Sequence, residues 1–80
     1  MSDNIERQVR NVMAGVLRID AGSIDKRTAQ DTISQWDSLN DMKLVLALEE
    51  EFGLALDEEQ ILQMTAFPRI VEIVASAKRK

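Results

Sequence analysis

Cysteine, histidine and tyrosine are absent from this 80-residue chain, which holds one proline, three glycines and only three aromatic residues, Trp36, Phe52 and Phe67. Without cysteine there is no disulfide framework and no thiolate metal site, a composition compatible with a reducing cytosol. Without histidine, no imidazole is at hand to activate a hydroxyl nucleophile. Scarce glycine and proline favour helices over a turn-rich β fold. No apolar run approaches a membrane span, and the opening MSDNIERQV is too acidic and mixed for a signal peptide, so a cytoplasmic protein is expected. Fourteen acidic residues against ten basic ones leave a net charge of −4. That balance argues against nucleic acid and anionic membrane as primary partners and suits a partner with a basic surface.

What is present reads as one small domain, which at this length buries about 60% of the surface of its unfolded chain. An apolar fraction of 45% argues against disorder. Ser2 or Asp3 is placed to cap a first helix, along which Ile5, Val9, Val12, Met13, Val16 and Leu17 form one narrow apolar stripe. Asp20, Gly22 and Ser23 break that pattern. A long polar connection follows as far as Trp36, with Ile24 and Ile33 as isolated plugs over the core. A second helix is predicted from about Ser38 to Phe52, stopping at Gly53. Asp57 is placed to cap a short third helix holding Ile61 and Leu62. Thr65 is placed to cap a fourth, with Pro68 in its first turn and Phe67, Ile70, Val71, Val74 and Ala77 along one face. Lys78, Arg79 and Lys80 complement the dipole at its C-terminal end. The expected fold is all-α: a small four-helix bundle with a long loop between helices one and two, one domain over 1–80.

The second helix carries two apolar arcs instead of one. At about 100° per residue, Leu44, Val45, Leu48 and Phe52 share one arc, and Leu39, Met42 and Leu46 share another well rotated from it. A surface helix of a bundle needs a single buried face. Asn40 and Lys43 flank the second arc, with Glu49 and Glu50 toward its C-terminal half. Apolar groups ringed by charge suit a recognition surface, although a wider core would produce the same pattern.

At the mouth of that helix stands Ser38, in the stretch QWDSLNDMKLVLALEEEFG. As a nucleophile it lacks a base: Asp37 is a poorly placed immediate neighbour and Lys43 lies more than a turn away. As an N-cap it would form a capping-box-like S-x-x-D with Asp41. A third role is to accept a covalent group. A phosphodiester there would lie against the unpaired N–H groups and positive dipole of a helix N-terminus, and a separate enzyme would do the chemistry.

Asp37-Ser38-Leu39 followed by VLALEEEFG over residues 45–53, in a small acidic chain with helices in this order and of these lengths, resembles the acyl carrier proteins. The resemblance implies that Ser38 receives 4′-phosphopantetheine from a phosphopantetheinyl transferase, with Asp37 and Leu39 framing it. It implies a partner-binding face of Leu39, Asn40, Met42, Lys43, Leu46, Glu49 and Glu50. It also implies acyl- or aminoacyl-loading enzymes and downstream transferases or synthases as partners, with no catalytic residue and no metal in the carrier. A monomer is expected. Fatty-acid-synthesis members usually carry acidic residues where Asn40 and Lys43 stand, and Gly or Ala where Trp36 stands. The DEEQILQM and TAFPRI segments also depart from the usual continuation. These departures point to a dedicated carrier of a specialised pathway, and Met1 with the basic C-terminus to a free-standing protein. Two other classes are weighed against this reading. One is an unmodified helical adaptor that binds through Leu39, Met42 and Leu46. The other is a divalent-cation binder using Asp37, Asp41, Asp57, Glu58 and Glu59, disfavoured because no D-x-[DN]-x-[DN]-G run exists.

Overall fold

Among the described residues four α-helices make up the bundle: α1 (Ser2–Leu17), α2 (Ser38–Phe52), α3 (Glu58–Leu62) and α4 (Phe67–Lys78). The computed structural model describes residues 2–78, without the side chains of Ser2 and Asp3. The cap expected of Ser2 or Asp3, and the dipole pairing expected of Arg79 and Lys80, therefore lie outside the described residues. Among the described residues no helix is long and apolar enough to cross a membrane.

Helix α1 packs against both α2 and α4. Its stripe buries Val9, Met13 and Leu17, spaced four apart so that each lies a turn above the last, while Ile5, Val12 and Val16 are half-buried at the edges. The helix stops earlier than the Asp20–Ser23 break suggests. Arg18 takes a left-handed conformation, φ 57°, and the Ile19 N–H closes back on the Ala14 carbonyl at 3.1 Å. That is the closing hydrogen bond of a Schellman turn, a place usually given to glycine. Gly22 instead sits in a short 3₁₀ turn, Ala21–Ser23, where its N–H donates to Asp20 Oδ1. At the end of α2 the expected glycine is used. Gly53 has φ 63° and the Leu54 N–H reaches the Glu49 carbonyl at 3.1 Å.

The long loop is pinned at three places. Ile24 is buried, and its carbonyl accepts a hydrogen bond from Arg10 Nε of α1. Thr28 is the buried polar residue here, its hydroxyl accepting from the Asp25 N–H. Ala29 then pairs with Ala66 in an isolated antiparallel bridge. In that bridge the Gln30 N–H donates to the Thr65 carbonyl at 2.8 Å and the Phe67 N–H to the Thr28 carbonyl at 2.9 Å. The bridge replaces the cap expected of Thr65: the first amide of α4 is satisfied across the bundle by Thr28, so no local side chain is needed. Ile33 is only half-buried, and Trp36, three residues on, is the residue that closes the loop over the core.

Helix α3 follows the sequence reading, with Asp57 accepting from the Gln60 N–H and the Gln60 side chain returning to the Asp57 N–H. Its Leu62, however, is 73% exposed. In α4, Pro68 is the second residue, where a missing N–H costs nothing, and Phe67, Ile70, Ile73 and Val74 face inward. Lys78 in its last turn lies over the Phe52 ring, 5.4 Å from the centroid.

The two arcs of α2 separate as the spacing predicts. Leu44, Val45 and Leu48 are buried with Phe52 at the margin, whereas Leu39, Met42 and Leu46 are 65%, 61% and 59% exposed. Truncating Leu48 to alanine should cost about 2–5 kcal/mol in urea unfolding. Truncating Leu46 should stay within about 0.5 kcal/mol. Equal losses would place the second arc in the core.

Candidate functional site

The N-terminus of α2 is assembled from Gln35, Trp36 and Asp37 and the helix's own first turn. Asp37 is extended, φ −94° and ψ −176°, and its Oδ1 accepts from the Asn40 N–H at 2.9 Å, while its carbonyl takes the first helical bond from Asp41 at 2.8 Å. Asp37, not Ser38, is therefore the N-cap. Both residue types cap well, but an anionic oxygen gains additionally from the positive end of the helix dipole. The capping box expected of Ser38 and Asp41 does not form.

Asp41 is instead turned toward the loop. Its Oδ1 accepts from the Trp36 indole Nε1 at 2.9 Å, and the indole is 2% exposed. A buried indole N–H without an acceptor is costly, and the spacing from residue 36 to 41 sets this one against the first helical turn. Asn40 adds a second tie, its Nδ2 donating to the Gln35 carbonyl at 2.6 Å. Both partners of the Trp36–Asp41 bond lie in the sequence, but no local rule marks the pair, because the indole's burial depends on the rest of the bundle.

These ties leave Ser38 as the first helical residue, exposed, with no hydrogen bond to its hydroxyl among the described residues. The N–H groups of Ser38 and Leu39 likewise have no acceptor among them. A phosphodiester on the Ser38 oxygen fits this site: the oxygen is free and open, and two unsatisfied donors lie beside it at the positive end of the helix.

The candidate partner-facing residues divide into two groups. Leu39, Met42, Lys43, Leu46 and Glu50 are exposed and fall within one arc of α2 at about 100° per residue. Asn40 and Glu49 are half-buried and engaged internally. Asn40 is held by Gln35, and Glu49 Oε2 accepts from the Leu56 N–H at 2.8 Å, bracing the turn after α2. Lys43 forms no ion pair among the described residues, because residues 39, 40, 46 and 47, its neighbours one turn away, include no acid. Asp37, Asp41 and Asp57 are each committed to a hydrogen bond within the fold, and no group of three acidic side chains among the described residues is arranged to hold a metal ion.

Replacing Asp41 with leucine removes the acceptor and leaves the indole N–H buried alone, which should cost about 1–3 kcal/mol. Asp41→Asn keeps an oxygen and should cost less. Urea unfolding followed by the emission of Trp36, the single tryptophan, checks both. Equal stability of the leucine variant and the parent would remove the bond from the account.

Residues 7–76 match the family model described as the phosphopantetheine attachment site. Members of this family carry 4′-phosphopantetheine covalently attached, and the group fits the open serine at the mouth of α2. The match spans nearly all of a helical bundle of acyl-carrier-protein type, and the chain belongs to that family of phosphopantetheine-bearing carriers.

Proposed function

We propose that residues 1–80 form one carrier domain whose Ser38 oxygen takes 4′-phosphopantetheine from coenzyme A, delivered by a phosphopantetheinyl transferase. The observation that carries this reading is the unengaged Ser38 hydroxyl at the first position of α2, with Asp37 doing the capping beside it. Once attached, the arm supplies a terminal thiol that holds acyl or aminoacyl groups as thioesters. The chain's own contribution is presentation. Asp37 and Leu39 frame the attachment point, the caps fix its direction, and the exposed strip of α2 meets the enzymes that load and use the cargo. In this reading the loading and transfer chemistry belongs to the partner enzymes, and the carrier presents the arm. Trp36, Asn40 and Lys43 support assignment to a specialised pathway over housekeeping fatty-acid synthesis, because they change the charge and packing around the arm.

Intact-mass analysis after incubation with coenzyme A and a broad-specificity transferase should show a gain of one phosphopantetheinyl group, and Ser38→Ala should show none. A gain in the alanine variant would move the site elsewhere. No gain by the parent with several transferases would favour the unmodified adaptor, which uses Leu39, Met42 and Leu46 without an arm.

A further inference from the structure

The acids of α2 are less available than the sequence suggests, and this changes what its outward face can recognise. Asp37 caps the helix, Asp41 holds the indole and Glu49 holds the Leu56 amide. Glu50 and Glu51 remain exposed and unbonded among the described residues, and Glu51 lies about 100° round from Glu50, away from the apolar strip. The face running from Ser38 therefore presents Leu39, Met42 and Leu46 bordered by one cation, Lys43, and then one anion, Glu50. The two charges share an edge, seven residues and about 10 Å apart along the axis, with no ion pair between them.

We infer that Lys43 selects partners: the enzyme that acts on this carrier meets α2 with an apolar groove for Leu39, Met42 and Leu46, a carboxylate opposite Lys43 and a base opposite Glu50. The inference rests on the carrier reading above. A partner lined only with bases meets a like charge close to the serine, which slows encounter and disfavours the docked pose. A carboxylate at that place turns the repulsion into a charge pair and fixes the register of the groove along the helix. Lys43 engages no other group of the fold: it is exposed, it pairs with no acid among the described residues, and it is the cation at the edge of the apolar strip nearest Ser38.

The test uses a phosphopantetheinyl transferase chosen for a basic carrier-facing surface as the probe, with the parent protein, Lys43→Gln and Lys43→Glu as substrates. Loading run to completion comes first: full conversion of the parent, with none for Ser38→Ala, upholds the carrier reading whatever the rates show. Initial rates then address Lys43. At about 0.01 M salt, where screening extends over about 30 Å, kcat/KM should rise from parent to glutamine to glutamate, roughly three- to tenfold in all and chiefly through KM. Near 1 M salt, with a screening length of about 3 Å, the three should converge. Changing the basic residues of the probe's surface singly to glutamate supplies the second arm. At least one such change should speed loading of the parent and slow loading of Lys43→Glu. Equal rates for the three substrates at low salt, or no probe variant that reverses their order, overturns the inference and leaves the carrier reading intact.

Discussion

The hydrogen bond from the buried Trp36 indole to Asp41 ties together the two parts of the molecule that have to agree. One part is the long connection after α1, whose own regular structure amounts to two 3₁₀ turns. The other is α2, whose first turn has to begin at a defined residue. The indole supplies both conditions, because its ring fills the core beneath the loop and its N–H has one acceptor, on the first turn of α2. Asp37 and Asn40 then have little freedom left, and their bonds to the Asn40 amide and the Gln35 carbonyl complete the same clasp. Ser38 is fixed by its neighbours and bonded to none of them through its hydroxyl.

That division of labour extends along the helix. Side chains which a helical wheel groups as surface polar residues are of two kinds. Some, such as Glu49 on the Leu56 amide, are structural ties whose loss would loosen a turn. Others, such as Lys43 and Glu50, are exposed and unpaired among the described residues, and in the proposed reading they set the charge that a partner meets. The apolar residues divide similarly, Leu44 and Leu48 packing against the rest of the bundle and Leu39, Met42 and Leu46 remaining in water. Keeping three large apolar side chains exposed on one strip contributes nothing to folding, which supports the partner surface proposed for them.

Much of this could be read from the residues because it is local. Helical periodicity separates the two arcs of α2, and Gly53 and Asp57 mark boundaries by conformational and capping preferences that do not depend on the rest of the fold. The misreadings have a common cause. Asp37 and Ser38 are adjacent good caps, and the choice between them turns on the dipole and on a tryptophan whose burial is decided elsewhere. Thr65 is a sound capping residue by type, but the amide it would satisfy is taken by the Thr28 carbonyl, 39 positions earlier in the chain than Phe67. Arg18 ends α1 in a left-handed conformation that arginine does not signal, held there by the closure on Ala14. Asp41 reads as a capping-box partner of Ser38 and Glu49 as a partner-facing acid until their indole and amide partners are in view. Hydrogen bonds to distant partners escaped the sequence, as did the choice between adjacent caps and the left-handed Arg18; periodicity and the boundaries at Gly53 and Asp57 did not.

Ser38 is held on a preformed helix mouth, so that adding the proposed arm needs no reorganisation of the core. An amide nitrogen–proton correlation spectrum of the isotope-labelled protein, recorded before and after loading, tests it most directly. The largest shifts should fall on the Ser38 and Leu39 amides, which gain a phosphate oxygen as acceptor, while the Trp36 indole resonance stays in place. Displacement or loss of the indole resonance on loading, with the Ser38 and Leu39 amides unmoved, would contradict it.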